Sequence, residues 1–145
     1  MFADFLTRLL APAPETLADS DARLALSALM VRLARSDGAY APEERARITA
    51  IIAERYGLDA AQAEALRKDA EALEAEAPDT VRFTRAIKDA VPYEARAAVI
   101  EALWQVALAD GTREAHEDSL MRLVASLLGL TDQESARARQ KAMRG

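Results

Sequence analysis

The sequence contains no cysteine, and this absence excludes several kinds of chemistry at once. Disulfide bonds, thiolate nucleophiles and cysteine-ligated zinc sites are all ruled out. Glycine and proline are also scarce, with five of each, and only 5% of the residues are aromatic. Runs of alternating apolar and polar residues, which would indicate half-buried strands, are missing. Because 51% of the residues are nevertheless hydrophobic and alanine is abundant, the composition favours closely packed helices.

Common catalytic motifs are missing as well. The chain has no P-loop, no G-x-G-x-x-G and no G-x-S-x-G turn, and its one histidine, His116, cannot build a multi-histidine metal centre. We interpret His116 as an exposed surface residue, although it lies beside Glu117 on an acidic stretch. We therefore expect a protein that is not an enzyme. A metal-dependent hydrolase that uses only carboxylates is the least favoured alternative.

Long apolar runs are absent too. None approaches the roughly 18 to 20 residues that a membrane-spanning helix needs, and the first residues lack the basic start and A-x-A pattern of a signal peptide. The net charge of −5 disfavours nucleic acid and anionic lipid as bulk partners. We expect a cytoplasmic protein without a transmembrane segment, whose partner is another protein. Peripheral membrane contact stays open, as does the oligomeric state.

What the chain does contain is one stretch that occurs twice. The copies are Ala34-Arg35-Ser36-Asp37-Gly38 through Glu44 and Ala107-Leu108-Ala109-Asp110-Gly111 through Glu117. In both, Asp, Gly and Glu fall at relative positions 0, 1 and 7, and a Gly-Leu pair follows, at Gly57 and at Gly129. An internal repeat is a strong indication of architecture. This one predicts an all-α, single-domain bundle with two helix–turn–helix units.

Apolar periodicity and helix-breaking residues predict the individual helices. We expect them at about 20–36, 42–56, 59–76, 80–91 and 92–107, with another carrying Leu120 to Leu128 and a last one from Thr131. Asp59 with Gln62, and Thr131 with Glu134, are spaced as capping boxes. We divide the chain into an amphipathic helix with a Pro-rich linker (1–14), a helical domain (20–137) and a basic tail (138–145).

The four repeated acidic residues form the candidate metal site. They are Asp37, Glu44, Asp110 and Glu117. Calcium and magnesium prefer several oxygen ligands, which carboxylates supply. If the two units pack with approximate two-fold symmetry, these side chains could converge or form two equivalent corners. The hypothesis is therefore a divalent-metal site, with calcium or magnesium as the most plausible ion.

A purely structural interpretation explains the same residues without a metal. Asp can bond to the backbone in a turn, Gly supplies the turn conformation, and Glu suits the first turn of a helix. The spacing also coincides with the last part of an EF-hand loop. That likeness fails at Leu33, Arg35, Val106 and Leu108, where the first and third ligands should be. The alternative is thus a structural domain for protein interaction or self-association, with no metal.

The doubled A-x-x-D-G-x-x-x-x-x-E pattern resembles the TerB family, named for tellurite resistance, over about residues 20–137. The resemblance implies an all-helical bundle of about seven helices. It also implies a role in metal-linked stress response and in assembly with other proteins, often near a membrane. Its acidic positions fall on Asp37, Glu44, Asp110 and Glu117. The second copy departs from the first, because His116 stands where the first copy has Glu43.

Overall fold

The computed structural model describes residues 19–36, 40–76, 80–108 and 115–144, with side chains from 22 onward in the first range and from 119 onward in the last. These residues form seven helices: α1 (Asp19–Arg35), α2 (Pro42–Tyr56), α3 (Ala60–Glu76), α4 (Thr80–Ala90), α5 (Tyr93–Ala107), α6 (Ala115–Leu127) and α7 (Asp132–Arg144). No strand occurs in these ranges, and the predicted all-α bundle is confirmed. The predicted helix at the start of the chain, Met1 to Leu10, lies outside the described residues.

Helix α1 forms the centre of the bundle. It contacts α2, α3, α4 and α5, and every residue from Leu24 to Val31 is buried. A stretch of helix that is apolar on all sides must be covered on all sides, which explains the central position of α1. Phe83 and Ile87 of α4 and Leu103 of α5 complete this core, with no more than 1% of each exposed.

The helices of the two sequence copies pack in corresponding pairs. In the first copy α1 contacts α2 and α3, and in the second copy α5 contacts α6 and α7. Helix α4 joins the copies and packs against both α1 and α6. Two copies of one structural unit would pack in this way. That the two sequence copies form a structural repeat stays a prediction.

The second helix of each copy ends at the predicted glycine. Gly57 has φ 63° and Gly129 has φ 80°, a left-handed conformation that costs glycine little. The following leucines close the helix ends: the Leu58 N–H donates to Ala53 O at 3.0 Å, and the Leu130 N–H donates to Ala125 O at 2.9 Å. In each case an N–H bonds to the carbonyl five residues earlier. The bond satisfies a carbonyl that the helix end would otherwise leave without a partner.

Both predicted capping boxes form after these glycines. The Gln62 N–H donates to Asp59 Oδ1 at 2.7 Å, and the Asp59 N–H donates to Gln62 Oε1 at 3.0 Å. In the second copy the Glu134 N–H donates to Thr131 Oγ1 at 3.1 Å, and the Thr131 N–H donates to Glu134 Oε1 at 2.9 Å. Two donors at the start of α3 and two at the start of α7 are thereby satisfied.

The last helix continues past the predicted domain boundary. Helix α7 runs to Arg144, so 138–144 belong to the same helix, and Ala138 is buried in the core. The division into 1–14, 20–137 and 138–145 stays a prediction. None of the described helices is long and apolar enough to cross a membrane.

Candidate functional site

The structure describes the side chain of one of the four predicted metal ligands. This residue is Glu44, in the first turn of α2. Asp37 and Asp110 lie outside the described residues, and Glu117 and His116 lie in α6 where side chains are not described. Among the side chains that are described, no group of three or more His, Asp or Glu could hold a metal ion. Convergence of the four carboxylates therefore stays a prediction.

Glu44 acts as a cap for its own helix. Its Oε1 accepts a hydrogen bond from the Ala41 N–H at 3.0 Å, and its own N–H donates to Ala41 O at 3.0 Å. Ala41 is extended, with ψ 157°, and Pro42 follows at the first helical position, where a missing N–H has no cost. This is the structural role that the metal-free interpretation assigns to Glu44. A carboxylate has about four lone-pair sites, so one backbone bond does not by itself prevent it from binding a cation.

Tyr40 attaches the residues before α2 to α3. Its Oη donates to Glu71 Oε2 at 2.6 Å, and Arg67 donates to the same oxygen at 2.9 Å. The Arg35 and Arg45 guanidinium groups lie over the Tyr40 ring, 5.0 and 5.6 Å from its centroid. Burial, and secondarily the hydrogen bond and charge of Glu71, raise the pKa of Tyr40 well above its ordinary value. The phenol therefore stays a hydrogen-bond donor throughout the physiological pH range.

Glu74 attaches the end of α1 to the end of α3. Its carboxylate accepts from Arg32 Nε at 3.1 Å and from an Arg35 guanidinium nitrogen at 2.7 Å, and only 13% of its side chain is exposed. Arg32 also donates to Thr80 Oγ1 at 3.3 Å, at the start of α4. Both flanks of the turn between α1 and α2 are thus fixed to α3. We call these residues the corner cluster: Arg32, Arg35, Tyr40, Arg67, Glu71 and Glu74.

The family comparison agrees with this architecture. The family model described as Tellurite resistance protein TerB matches residues 23–140. The chain belongs to the TerB family. No curated protein and no solved structure gives a significant match. The matched range begins inside α1 and ends inside α7, so it includes both copies of the acidic motif. The resemblance predicted from the doubled motif is confirmed.

In this TerB-family chain, different residues attach the second copy's helices to one another. The Trp104 Nε1–H of α5 donates to Ser135 Oγ of α7 at 3.3 Å, and the Arg139 guanidinium lies 5.6 Å from the centroid of the same ring. Only 7% of Trp104 is exposed, so its ring packs in the core. At the position of Glu71, 72 residues later, stands Met143, which is 63% exposed. The carboxylate-centred cluster thus belongs to the first copy.

The sequence did not predict the corner cluster, because its members are far apart along the chain. Helix α3 is rich in charged residues, which is typical of a solvated helix, yet Glu71 and Glu74 bond to residues of the first corner. One feature of the sequence does indicate that α1 has a charged partner. Arg32 stands between the buried Val31 and Leu33 on α1, and a charge in such a place needs a partner. The partner's identity depends on how α1 packs against α3.

Proposed function

We propose that this TerB-family protein is a cytoplasmic module that acts by binding rather than by catalysis, in stress response or as an adaptor between proteins. Family membership supports a helical module. The lack of a thiol, a nucleophile turn and a phosphate-binding loop in the sequence supports a non-enzymatic role. The net charge of −5 favours a protein partner over nucleic acid.

As its ligand we propose a divalent cation, calcium or magnesium, held by Asp37, Glu44, Asp110 and Glu117. The observation that carries this proposal is the doubled motif itself, which places matching carboxylates at matching positions in a chain of this family. Glu44 fits the donor chemistry, because it is a carboxylate, the oxygen ligand that such cations prefer. The corner cluster supports the proposal further. It fixes Arg35 and Tyr40, the nearest members of the cluster on either side of residues 37–39, to α3.

The second candidate is an interaction or self-association domain that binds no metal. One observation favours it: the described Glu44 carboxylate accepts the Ala41 N–H and so caps α2. Under this candidate, each acidic corner orders a helix start and the protein acts through its surface. The two candidates differ in one measurable property, the response of the folded state to added cations.

Thermal unfolding of chelator-treated protein tests the proposal, with calcium, magnesium, manganese and zinc added in turn. A ligand that binds the native state raises the melting temperature by mass action, so a genuine site gives a saturable increase. Asp37→Ala combined with Asp110→Ala should abolish the increase. Asp69→Ala combined with Asp89→Ala is the matched control, since both residues are exposed on other helices. No increase with any cation would overturn the metal proposal and favour the second candidate.

A further inference from the structure

A pocket of about 290 Å³ lies between α5, α6 and α7, in the half of the bundle that carries the second sequence copy. Trp104 and Ala125 form part of its wall and belong to the core, with 7% and 3% exposed. Its volume is at the lower end of the range for ligand pockets, roughly 300–1,000 Å³, so it suits a small molecule. The charged and hydroxyl groups in the described part of its lining are Arg122 of α6 and Asp132, Ser135 and Arg139 of α7.

Both arginines of this pocket have hydrogen-bond donors without acceptors. Among the described residues, no carboxylate lies within ion-pair distance of Arg122 or Arg139, and no oxygen accepts a hydrogen bond from either guanidinium group. The Nε of Arg139 is also buried. Arg55 and Arg67 have a buried Nε without an acceptor too, but each donates through another nitrogen. A buried charged donor without an acceptor costs free energy, so the pocket indicates an anion as the missing partner.

The Ser135 hydroxyl adds a third donor. Its Oγ accepts the Trp104 Nε1–H at 3.3 Å, and none of the described groups accepts its own proton. A hydroxyl that accepts one hydrogen bond becomes a better donor of another, because the two bonds polarise each other. Ser135 and Arg139 are four residues apart on α7 and therefore lie on the same helix face. The pocket thus offers donors from two helices, α6 and α7.

The charge around the pocket is opposite in sign to that of the whole chain. The chain has 24 acidic and 19 basic residues, whereas from Arg122 to the end five basic residues stand against two acidic ones. Asp132 lines the pocket but pairs with neither arginine. A phosphate group carries about −1.5 to −2 charges at neutral pH and three acceptor oxygens, which match two guanidinium groups and one hydroxyl. A carboxylate offers one charge and two oxygens, and it would leave one of these donors without a partner.

We propose that the pocket between α5, α6 and α7 binds a phosphate group, either as free phosphate or as a small-molecule monoester. Arg122, Ser135 and Arg139 donate to the phosphate oxygens. The apolar part of the wall, with Trp104 and Ala125, lies beside the organic part of an ester. This inference goes beyond the binding function proposed above and requires no cation, so it can be tested on protein from which metal has been removed.

The fluorescence of Trp104 tests this inference, because it is the only tryptophan in the chain and lines the pocket. Metal-free protein is titrated at a pH of about 7.5, where phosphate is mostly dianionic. The ligands are inorganic phosphate and phenyl phosphate, and sodium chloride of equal ionic strength is the reference. We expect a saturable change with phosphate and none with chloride. Tighter binding of phenyl phosphate would identify a monoester as the ligand, and equal binding would identify free phosphate.

Substitutions in and beside the pocket locate the binding site. Arg122→Gln and Arg139→Gln should each weaken phosphate binding about ten-fold, since each removes hydrogen bonds between charged groups. Arg137→Gln combined with Arg144→Gln is the matched control, because both residues are exposed on α7 and neither is among the residues that line the pocket. This control should keep most of the affinity. Asp132→Asn should strengthen binding several-fold, because it removes a carboxylate that repels the anion.

Two results would overturn the inference. One is that millimolar phosphate changes neither the Trp104 fluorescence nor the melting temperature, which a ligand of the native state must raise. The other is that the control variant loses as much affinity as the pocket variants, since the general charge of α7 would then attract the anion. Circular dichroism checks the fold of each variant. Arg122 is exposed, so Arg122→Gln tests the pocket even if Arg139→Gln disturbs the packing around Trp104.

Discussion

Tyr40 and Glu71 lie 31 residues apart in sequence, and a hydrogen bond of 2.6 Å joins them across the first corner. The phenol donates and the carboxylate accepts, while Arg67 donates to the same oxygen at 2.9 Å. A carboxylate shared in this way fixes the start of α2 relative to α3. The corner that carries half of the repeated acidic motif is therefore bounded by a polar network, and each of its bonds can be removed separately.

Tyr40→Phe should destabilise the protein in a pH-dependent manner. At neutral pH the lost hydrogen bond to a charged group costs about 1.5 kcal/mol. The folded-state pKa of Tyr40 is raised, mainly by burial and then by Glu71, so the unfolded phenol ionises first as the pH rises. The stability that this phenol contributes is present below a pH of about 10, the ordinary pKa of tyrosine, and is lost above it.

Urea unfolding at neutral pH and above a pH of about 10 measures this effect. The difference in unfolding free energy between the wild type and Tyr40→Phe should shrink as the pH rises. Tyr56, whose pKa burial also raises, is present in both proteins and cancels in the comparison. A difference that stays constant across this range would contradict the prediction.

Glu74→Gln should lower the free energy of unfolding by about 1–2 kcal/mol, because it removes the charge that two guanidinium groups share. Arg32 and Arg35 are 20% and 37% exposed, so solvent compensates for part of the loss. Glu76→Gln is the matched control, since Glu76 is exposed on the same helix. Chemical denaturation measures the free energy of unfolding of both variants. Equal effects of the two substitutions would show that the ion pairs of Glu74 contribute nothing.

The sequence identified the features of this fold that depend on nearby residues. Gly57, Gly129 and both capping boxes are defined within six positions of the chain, and local backbone chemistry determines them. The Tyr40–Glu71 bond depends on how α1, α2 and α3 pack, which no local pattern contains. The candidate site divides in the same way. The sequence placed Glu44 in the first turn of α2, where the structure has it, but whether four carboxylates converge is a question of tertiary arrangement.

Asp59→Ala and Thr131→Ala should each cost about 1 kcal/mol, the usual effect of removing a helix cap. Each substitution leaves one N–H at the start of α3 or α7 without its side-chain acceptor. Thr131→Ser keeps the hydroxyl and should retain most of the stability. Thermal and urea unfolding measure these differences. If Thr131→Ser and Thr131→Ala were equally destabilising, a lost methyl contact rather than the cap would explain the effect.

Arg96→Met should release the ends of two helices at once. The Arg96 guanidinium donates to Val91 O at 3.1 Å and Lys88 O at 3.2 Å, at the end of α4, and to Leu128 O at 3.2 Å, after α6. Carbonyls at helix ends lack partners within the helix, and a cation there also opposes the helix dipole. Methionine keeps much of the apolar stem and removes the charge, so we expect a loss of about 2 kcal/mol. Lysine cannot reproduce the planar fork of donors of a guanidinium group. Arg96→Lys should therefore recover only part of the stability that Arg96→Met loses.

Hydrogen exchange separates this capping effect from a general loss of stability. In Arg96→Met the last turns of α4 and α6 should exchange faster than in the wild type, while α3, which Arg96 does not contact, should change only with global stability. Arg122→Met is the control, because Arg122 is exposed on α6. If Arg96→Met accelerated exchange uniformly across all helices, the three carbonyl bonds would not act as local caps. Full recovery by Arg96→Lys would show that a single positive charge, rather than the fork of donors, is what these helix ends require.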